Sequence, residues 1–125
     1  MKEAFASPQA PAAVGPYSQA IGYGDLVFLS GQLGLTAEGA LAGEDAASQA
    51  RQALTNIRAV LAAAGLEMKD VLKTTVFLTE MNDFAAVNEV YREFFAEPYP
   101  ARSCVQVAAL PKGAKVEIEA LAGRG

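Results

Sequence analysis

Histidine is absent from the 125-residue sequence, and cysteine occurs once, at Cys104. Without histidine the chain has no Ser-His or Cys-His dyad and no histidine-ligated zinc site. A single cysteine excludes an intrachain disulfide, and we expect a reducing compartment. These absences remove the usual nucleophilic hydrolases and zinc hydrolases from consideration.

Long apolar runs and clusters of basic residues are also missing. No stretch approaches the ~20 apolar residues needed to span a bilayer, and residues 1–5 do not resemble a signal peptide. The net charge is −4, so the protein has no general electrostatic attraction for phosphate backbones or anionic membranes. We therefore expect a cytoplasmic protein whose partners include neither nucleic acid nor membrane.

What the chain does have is enough apolar material for one core. Its length fits a single domain covering residues 1–125. The hydrophobic fraction of 52% is above the usual range, although much of it is alanine. We expect some of this apolar surface to be hidden in an oligomer.

Periodicity divides the chain into strands and two helices. Strands are predicted at 18–23, 26–30, 71–79, 100–107 and 115–120, with a short extra strand near Phe5. Helices are predicted at 45–64 and from 82 or 83 to about 96. Asp45 can cap the first helix, Gly65 fits the position after its end, and Pro98 ends the second. The strand that begins at Leu26 is apolar on both faces, which predicts a central position covered on both sides.

The first helix has two distinct sides. The apolar stripe comprises Ala50, Leu54, Ile57, Val60, Leu61 and Ala64, and the polar side comprises Gln49, Gln52, Thr55, Asn56 and Arg58. The order β-β-α-β-α-β-β predicts an α+β fold in which both helices cover one face of a mixed sheet. Nothing in the chain would then cover the opposite face, which is a physical argument for self-association.

The stretch from Pro100 to Ala120 has the clearest chemistry. It is predicted to form two short strands around a turn, each with an apolar face and a charged face. In the first strand Val105 and Val107 share one face, and Arg102, Cys104 and Gln106 share the other. The pattern alone favours a solvated outer face for the charged residues. The alternative is that Arg102 and Glu117 line a site.

Arginine and glutamate would give such a site a definite chemistry. The planar fork of Arg102 matches a carboxylate through two hydrogen bonds, so a small anionic ligand is expected. Glu117 is the acid–base candidate nearest to it in pattern. In a plain hairpin the two would lie far apart, so they can share a site only if the strands are not neighbours or if different subunits contribute them.

Three motifs resemble one family. They are Gly15-Pro16-Tyr17-Ser18-Gln19, Ser30-Gly31-Gln32, and the long C-terminal signature that joins Pro100-Ala101-Arg102-Ser103 through Leu110-Pro111 to Val116-Glu117-Ile118-Glu119. The chain thus resembles the RidA/YjgF family of reactive-intermediate (enamine/imine) deaminases along nearly its whole length. The resemblance implies a chorismate-mutase-like fold assembled as a homotrimer, with sites in the clefts between subunits.

The resemblance also implies an activity and a site. The substrate would be a 2-imino acid or its 2-aminoacrylate tautomer, hydrolysed to a 2-keto acid and ammonia without metal or cofactor. Arg102 would bind the carboxylate and Glu117 would position the water. The expected substrate-binding residues are Tyr17 as a lid, Ser30, Gly31, Asn88, Arg102 and Cys104.

The sequence leaves several alternatives open. Cys104 is either a reactive thiol, helped by Arg102, or a packing residue, and the lack of a histidine partner favours packing. The protein could also be a trimer that binds keto or amino acids without turnover, which the presence of both Arg102 and Glu117 disfavours. An endoribonuclease or translation inhibitor is disfavoured by the acidic charge, and nothing in the sequence selects for a chaperone.

Overall fold

The computed structural model describes residues 1–125 and contains one six-stranded sheet with two α-helices. The strands are β1 (Glu3–Phe5), β2 (Ala20–Tyr23), β3 (Leu26–Leu33), β4 (Val71–Leu78), β5 (Ala101–Gln106) and β6 (Val116–Gly123), and the helices are α1 (Ala46–Ala63) and α2 (Phe84–Phe94). The predicted α+β class, the element order and the short first strand are confirmed.

The sheet has the strand order β1-β2-β3-β6-β4-β5. All neighbours are antiparallel except β4 and β5, which are parallel. Parallel neighbours need a crossover connection, and α2 supplies it between β4 and β5. Because β4 lies between β5 and β6, the prediction of two strands around a simple turn is wrong.

Both helices pack on one face of the sheet, as predicted. One buried cluster joins alternate residues of the central strands to the inner stripes of the helices: Val27, Leu29, Val76, Leu78, Val116, Ile118, Leu54, Ile57, Leu61, Val87, Val90 and Tyr91. The whole predicted stripe of α1 is buried. Burial of these side chains is the main favourable term that holds the layers together.

The opposite face of the sheet is open in the single chain. Phe28 is 48% exposed and Val105 is 42% exposed there, and Leu26 is also exposed. The prediction that the strand from Leu26 is covered on both sides is therefore wrong for one chain. Large apolar side chains exposed together are typical of a surface that meets another protein.

The ends of α1 follow the predicted signals. The Oδ2 atom of Asp45 accepts a hydrogen bond from the backbone N–H of Ser48 at 2.9 Å. Gly65 follows the helix with a φ of +77°, in the left-handed region that favours glycine. In α2, Asp83 occupies the N-cap position without a side-chain cap bond, and the helix ends at Phe94, before the predicted Ala96.

Two residues assigned to the polar side of α1 are instead buried. Gln49 donates to the carbonyl of Gly43 at 2.9 Å and accepts from the N–H of Lys115 at 2.7 Å. Asn56 donates to the carbonyls of Leu35 at 2.9 Å and Leu33 at 3.3 Å. These amides satisfy backbone groups at the end of β3 and before β6, so they fix the strands that carry Gly31 and Glu117.

Neither helix is long and apolar enough to cross a bilayer.

Candidate functional site

A cleft of about 710 Å³ opens on the side of the sheet away from the helices. Its walls are the segment around Tyr17, the end of β3, the loop from Leu35 to Gly39 and the turn at Pro111 and Lys112. Four of the predicted site residues line it: Tyr17, Ser30, Gly31 and Glu117. The structure thus brings together residues that are up to a hundred positions apart in the chain.

The close approach of Gly31 and Glu117 shapes the floor of this cleft. Across the β3–β6 pair Leu33 is opposite Glu117, and the register shifts between Leu29 and Gln32. A Cβ atom added to Gly31 would lie 2.7 Å from Oε2 of Glu117. Only glycine therefore leaves room for the carboxylate against the backbone of β3.

Ser30 links this floor to the segment that carries Tyr17. Its N–H donates to the carbonyl of Gln19 at 3.0 Å, and its hydroxyl donates to the carbonyl of Ser18 at 2.6 Å. The hydroxyl is therefore used inside the chain. Tyr17 itself is 53% exposed at the mouth of the cleft, which fits a side chain that covers a ligand rather than one that packs in the core.

Gln19 supports one wall of the cleft through hydrogen bonds, and its sequence pattern predicted no such role. It is buried, accepts from the N–H of Ser7 at 2.7 Å and donates to the carbonyl of Pro11 at 2.8 Å. These bonds fix the proline-rich segment that forms one wall of the cleft. A glutamine after Pro-Tyr-Ser is too short a signal to reveal this from sequence alone.

The environment of Glu117 alters its acidity. Partial burial raises the pKa of its carboxyl group above the ordinary value, and the negative charge of Glu119 raises it further. A carboxyl group with a raised pKa gains a proton more readily than an ordinary glutamate, so it can both accept and return one.

The other three predicted residues lie at the edge of the sheet. Arg102 is on β5, and its Nη1 atom donates to Oδ1 of Asn88 at 2.7 Å. The guanidinium carbon is 4.8 Å from the ring centroid of Tyr91 and 5.5 Å from that of Phe84. The hydroxyl of Tyr91 is 2.7 Å from that of Thr74, the residue opposite Arg102 on β4.

Cys104 completes this second group. It is partly buried against the core, and burial raises the pKa of its thiol, with Arg102 opposing the shift only in part. A thiol with a raised pKa is a poor nucleophile at neutral pH because the thiolate form is scarce. The packing role is the one that this environment favours.

The two faces of β5 are reversed relative to the prediction. Arg102 and Cys104 pair with Thr74 and Val76, both buried beneath the helices, so their side chains lie on the helix side of the edge strand. Val105, predicted on the apolar face, is exposed on the open side. β5 is an edge strand, so a charged side chain on its helix side still reaches solvent, and the sequence pattern therefore did not identify the face.

Arg102 and Glu117 consequently lie on opposite faces of one sheet. Glu117 alternates with Val116 and Ile118, which are buried under the helices, so it points to the open side. One chain does not bring the two charged groups into a common pocket. The structure also contains no cluster of three or more histidine, cysteine, aspartate or glutamate side chains that could hold a metal ion.

The chain matches known proteins along nearly its whole length. The family model described as endoribonuclease L-PSP matches residues 7–123. A RutC family protein, y4sK of Sinorhizobium fredii, is 54% identical over 97% of each chain. A 2-iminobutanoate/2-iminopropanoate deaminase of Salmonella typhimurium is 49% identical over 99% of each chain.

Solved structures agree with this match. The Escherichia coli TdcF structure with bound serine superposes with a TM-score of 0.93 at 48% identity, covering 98% of this chain and 99% of that one. The E. coli YjgF structure gives a TM-score of 0.93 at 47% identity with the same coverage. By its sequence, its mixed sheet with two helices and these matches, the chain belongs to the RidA/YjgF family of reactive-intermediate deaminases.

Proposed function

We propose that this protein hydrolyses reactive 2-imino acids, such as 2-iminobutanoate and 2-iminopropanoate, to 2-keto acids and ammonia. The names of relatives at about half identity over nearly the whole chain support this reaction. So does the chemistry of the two groups of site residues, an exposed arginine whose guanidinium can pair with a carboxylate and a carboxyl group with a raised pKa. We further infer that residues 1–125 act as one domain.

The observation that carries the proposal is the separation of Arg102 and Glu117 across the sheet. Each is presented at a surface, yet one chain cannot bring them together. A second copy whose β5 edge lies beside the open face would bring its Arg102 to the cleft that holds Glu117. The exposed Phe28 and Val105 supply apolar surface for such a contact. We infer a homotrimer with a site at each interface. A head-to-tail contact repeated around a closed ring gives one such site per subunit, and the number of three subunits is what the family resemblance implies.

Arg102 would recognise the carboxylate of the substrate. Its fork offers two parallel N–H donors, and charged hydrogen bonds of this kind are about twice as strong as neutral ones. The relative TdcF has been solved with bound serine, a small molecule with an α-carboxylate of the same kind. Asn88 and Cys104, which flank Arg102, would border the same end of the ligand.

Glu117 would handle the water and the protons. Held by the carboxylate, a water attacks the carbon of the C=N bond and gives one proton to Glu117, while the π electrons move to nitrogen. Glu117 returns this proton to the nitrogen, which gives a tetrahedral carbinolamine. The hydroxyl proton then passes by way of Glu117 to the amine nitrogen, the C=O bond forms, and ammonia leaves as the C–N bond breaks. The raised pKa of Glu117 allows it to return the proton it accepted.

The remaining residues would shape and close the cleft. Gly31 leaves the space in which the carboxylate of Glu117 sits, and Ser30 ties the floor to the segment before it. Tyr17, exposed at the mouth, would cover the bound substrate. Excluding bulk water in this way strengthens the contact between Arg102 and the carboxylate.

The test is a coupled assay. A pyridoxal-phosphate dehydratase acting on serine generates 2-aminoacrylate in place, and pyruvate formation is followed with and without the purified protein. Wild type should accelerate pyruvate release, and Arg102→Ala should lose most of this effect. Removing the charged hydrogen bonds should cost about 1.5–3 kcal/mol, roughly a factor of 10–150 in kcat/KM.

The control is Arg92→Ala, which removes an exposed arginine of α2 whose ion-pair partner is Glu89. It should behave as wild type, because exposed ion pairs contribute little. Failure of wild type to accelerate pyruvate release, with the fold and oligomer intact, would contradict the deaminase. Binding of a keto acid without turnover would then indicate a binding protein.

A further inference from the structure

One flank of α2 surrounds the guanidinium of Arg102. Phe84, Asn88 and Tyr91 are spaced by four and three residues, so they lie on the same side of the helix. Asn88 accepts a 2.7 Å hydrogen bond from Nη1, and the two rings have centroids 5.5 Å and 4.8 Å from the guanidinium carbon. Both distances are within the range of a cation–π contact.

The base of this arrangement is fixed by a buried hydroxyl pair. Tyr91 is buried, its hydroxyl contacts that of Thr74 at 2.7 Å, and its ring lies 4.5 Å from the ring of Phe95. Thr74 is the residue opposite Arg102 on β4, so the bond joins helix to sheet at the level of the arginine. Phe84, by contrast, is 37% exposed, and its ring covers Arg102 from the outer side.

We propose that Phe84, Asn88 and Tyr91, here called the arginine clamp, are positioning residues that hold the guanidinium of Arg102 in the plane that meets a carboxylate with two hydrogen bonds. A side chain already held in its bound geometry loses less conformational freedom when the ligand arrives. The proposal rests on the proposed function for its ligand. The affinity of Arg102 for the substrate carboxylate would then depend on the three clamp side chains, which act through the guanidinium and do not themselves carry its charge.

The clamp also sets the orientation of Asn88. A guanidinium only donates, so the amide oxygen of Asn88 must face Arg102. The amide NH₂ group has no partner within the chain and is left free to donate. Asn88, predicted to contact substrate, would therefore both hold the arginine and offer a donor beside it.

The same helix offers a matched control. Arg58 lies over the ring of Phe94, with its guanidinium carbon 5.1 Å from the centroid. This pair has the same chemistry and involves a partly buried phenylalanine of α2, but neither residue lines the cleft or contacts Arg102. Phe94→Leu therefore removes an equivalent contact outside the proposed site.

The test compares Phe84→Leu, Phe84→Tyr and Phe94→Leu in the assembled protein. The probe is 2-oxobutanoate, titrated by NMR while the Nε–Hε resonance of each arginine is followed with nitrogen-15 labelling. Phe84→Leu should shift the Arg102 resonance in the free protein and raise the Kd by about two- to fivefold, as expected for loss of an exposed cation–π contact. Phe84→Tyr should restore both values, and Phe94→Leu should shift only the Arg58 resonance.

The outcomes separate this proposal from the deaminase itself. An unchanged Kd and an unmoved Arg102 resonance in Phe84→Leu would overturn the clamp, as would equal effects of Phe84→Leu and Phe94→Leu on the Kd. Wild type that does not bind 2-oxobutanoate would overturn it too. Lack of turnover in the coupled assay, together with the expected binding pattern, would reject the deaminase and leave the clamp supported.

Discussion

The cleft around Glu117 and the edge around Arg102 are built in different ways. The cleft is concave, about 710 Å³ in volume, and shaped by backbone packed closely enough that a single Cβ on Gly31 would meet the carboxylate. The edge is exposed, and its arginine is held by side chains of α2 rather than by backbone. The cleft supplies a pocket and the carboxyl group of Glu117, and the edge supplies an arginine held by neighbouring side chains.

This difference indicates how each region will respond to mutation. Added volume should damage the cleft, since its geometry depends on empty space beside β3. Removed contacts should damage the edge, since its geometry depends on the side chains around Arg102. Neither region alone can bind and hydrolyse an imino acid by the proposed mechanism, so the strongest test joins them.

Mixing two impaired variants should produce the largest effect. Glu117→Gln should lower kcat by ~100-fold or more, since it removes the acid–base group, and Arg102→Ala should lose carboxylate binding. Unfolded together in equal amounts and refolded as one population of mixed oligomers, they should recover roughly a quarter of wild-type activity, because about one interface in four pairs an intact Arg102 with an intact Glu117.

The comparison for this experiment is each variant refolded alone, which should show only its own reduced activity. Wild type refolded alone sets the full scale in the pyruvate assay. If native mass spectrometry shows mixed oligomers but activity does not return, the two residues act within one subunit or at separate sites, and the interfacial model is wrong.

Adding a methyl group at Gly31 should produce the next largest effect. In Gly31→Ala the new Cβ would lie 2.7 Å from Oε2, so the carboxylate must move. A displacement near 1 Å in a catalytic group can cost ~100-fold, and we expect kcat to fall about 10- to 100-fold. The thermal midpoint should change little, since the atom that yields is the end of a flexible side chain.

Gly22→Ala is the matched control for this change. Its Cβ would meet the ring of Phe5 at 2.9 Å, a similar clash in the same sheet but outside the cleft. It should lower the thermal midpoint without changing kcat or KM. If both alanine variants lose activity equally, the effect comes from the sheet and not from the position of Glu117.

The sequence predicted which elements form the layers of this fold more reliably than it predicted which side of the sheet each face of the edge strand β5 is on. The apolar stripe of α1 and the alternation in β6 repeat over enough residues to determine which side is buried. In β5 the alternation of Arg102, Cys104 and Val105 is present, but an edge strand has a neighbour on one side only. Its charged residues can therefore reach solvent from either face, and pattern does not identify the face.

The candidate site was predictable only where a motif resembles the family. Tyr17, Ser30, Gly31 and Glu117 were named from motif resemblance, and the structure places all four around one cleft. The supporting amides of Gln19, Gln49 and Asn56 were not, because a buried amide bonded to distant backbone looks polar and exposed in a helical or turn pattern. Such hydrogen bonds depend on tertiary contacts, which the hydrophobic periodicity of a single segment does not reveal.

The acidity of Glu117 gives a smaller, graded prediction. Activity that needs the carboxylate should fall as pH drops through the raised pKa, at a higher pH than for an ordinary glutamate. Glu119→Gln removes one of the two causes, so the acidic limb of the pH–kcat profile should move to lower pH. An unmoved limb would mean that burial alone sets the pKa or that another group titrates.

Stability should not follow the same curve. A carboxyl group whose pKa is raised by folding stabilises the folded state on the acidic side, and this contribution is lost as pH rises through the folded pKa. Loss of activity on acidification therefore cannot come from unfolding driven by Glu117. Circular dichroism at each pH of the profile checks this, since the signal should persist where activity has already declined.

Cys104 should show the smallest effect, and it tests whether the edge around Arg102 contributes charge alone or also a nucleophile. Burial raises the pKa of its thiol, so at neutral pH the thiolate is scarce, and the proposed hydrolysis needs none. Cys104→Ala should keep kcat/KM within about twofold of wild type, and wild type should react slowly with iodoacetamide. Near-complete loss of activity in an intact oligomer would show that a thiol takes part. The edge would then contribute chemistry as well as binding, and the division of roles between the two regions would be wrong.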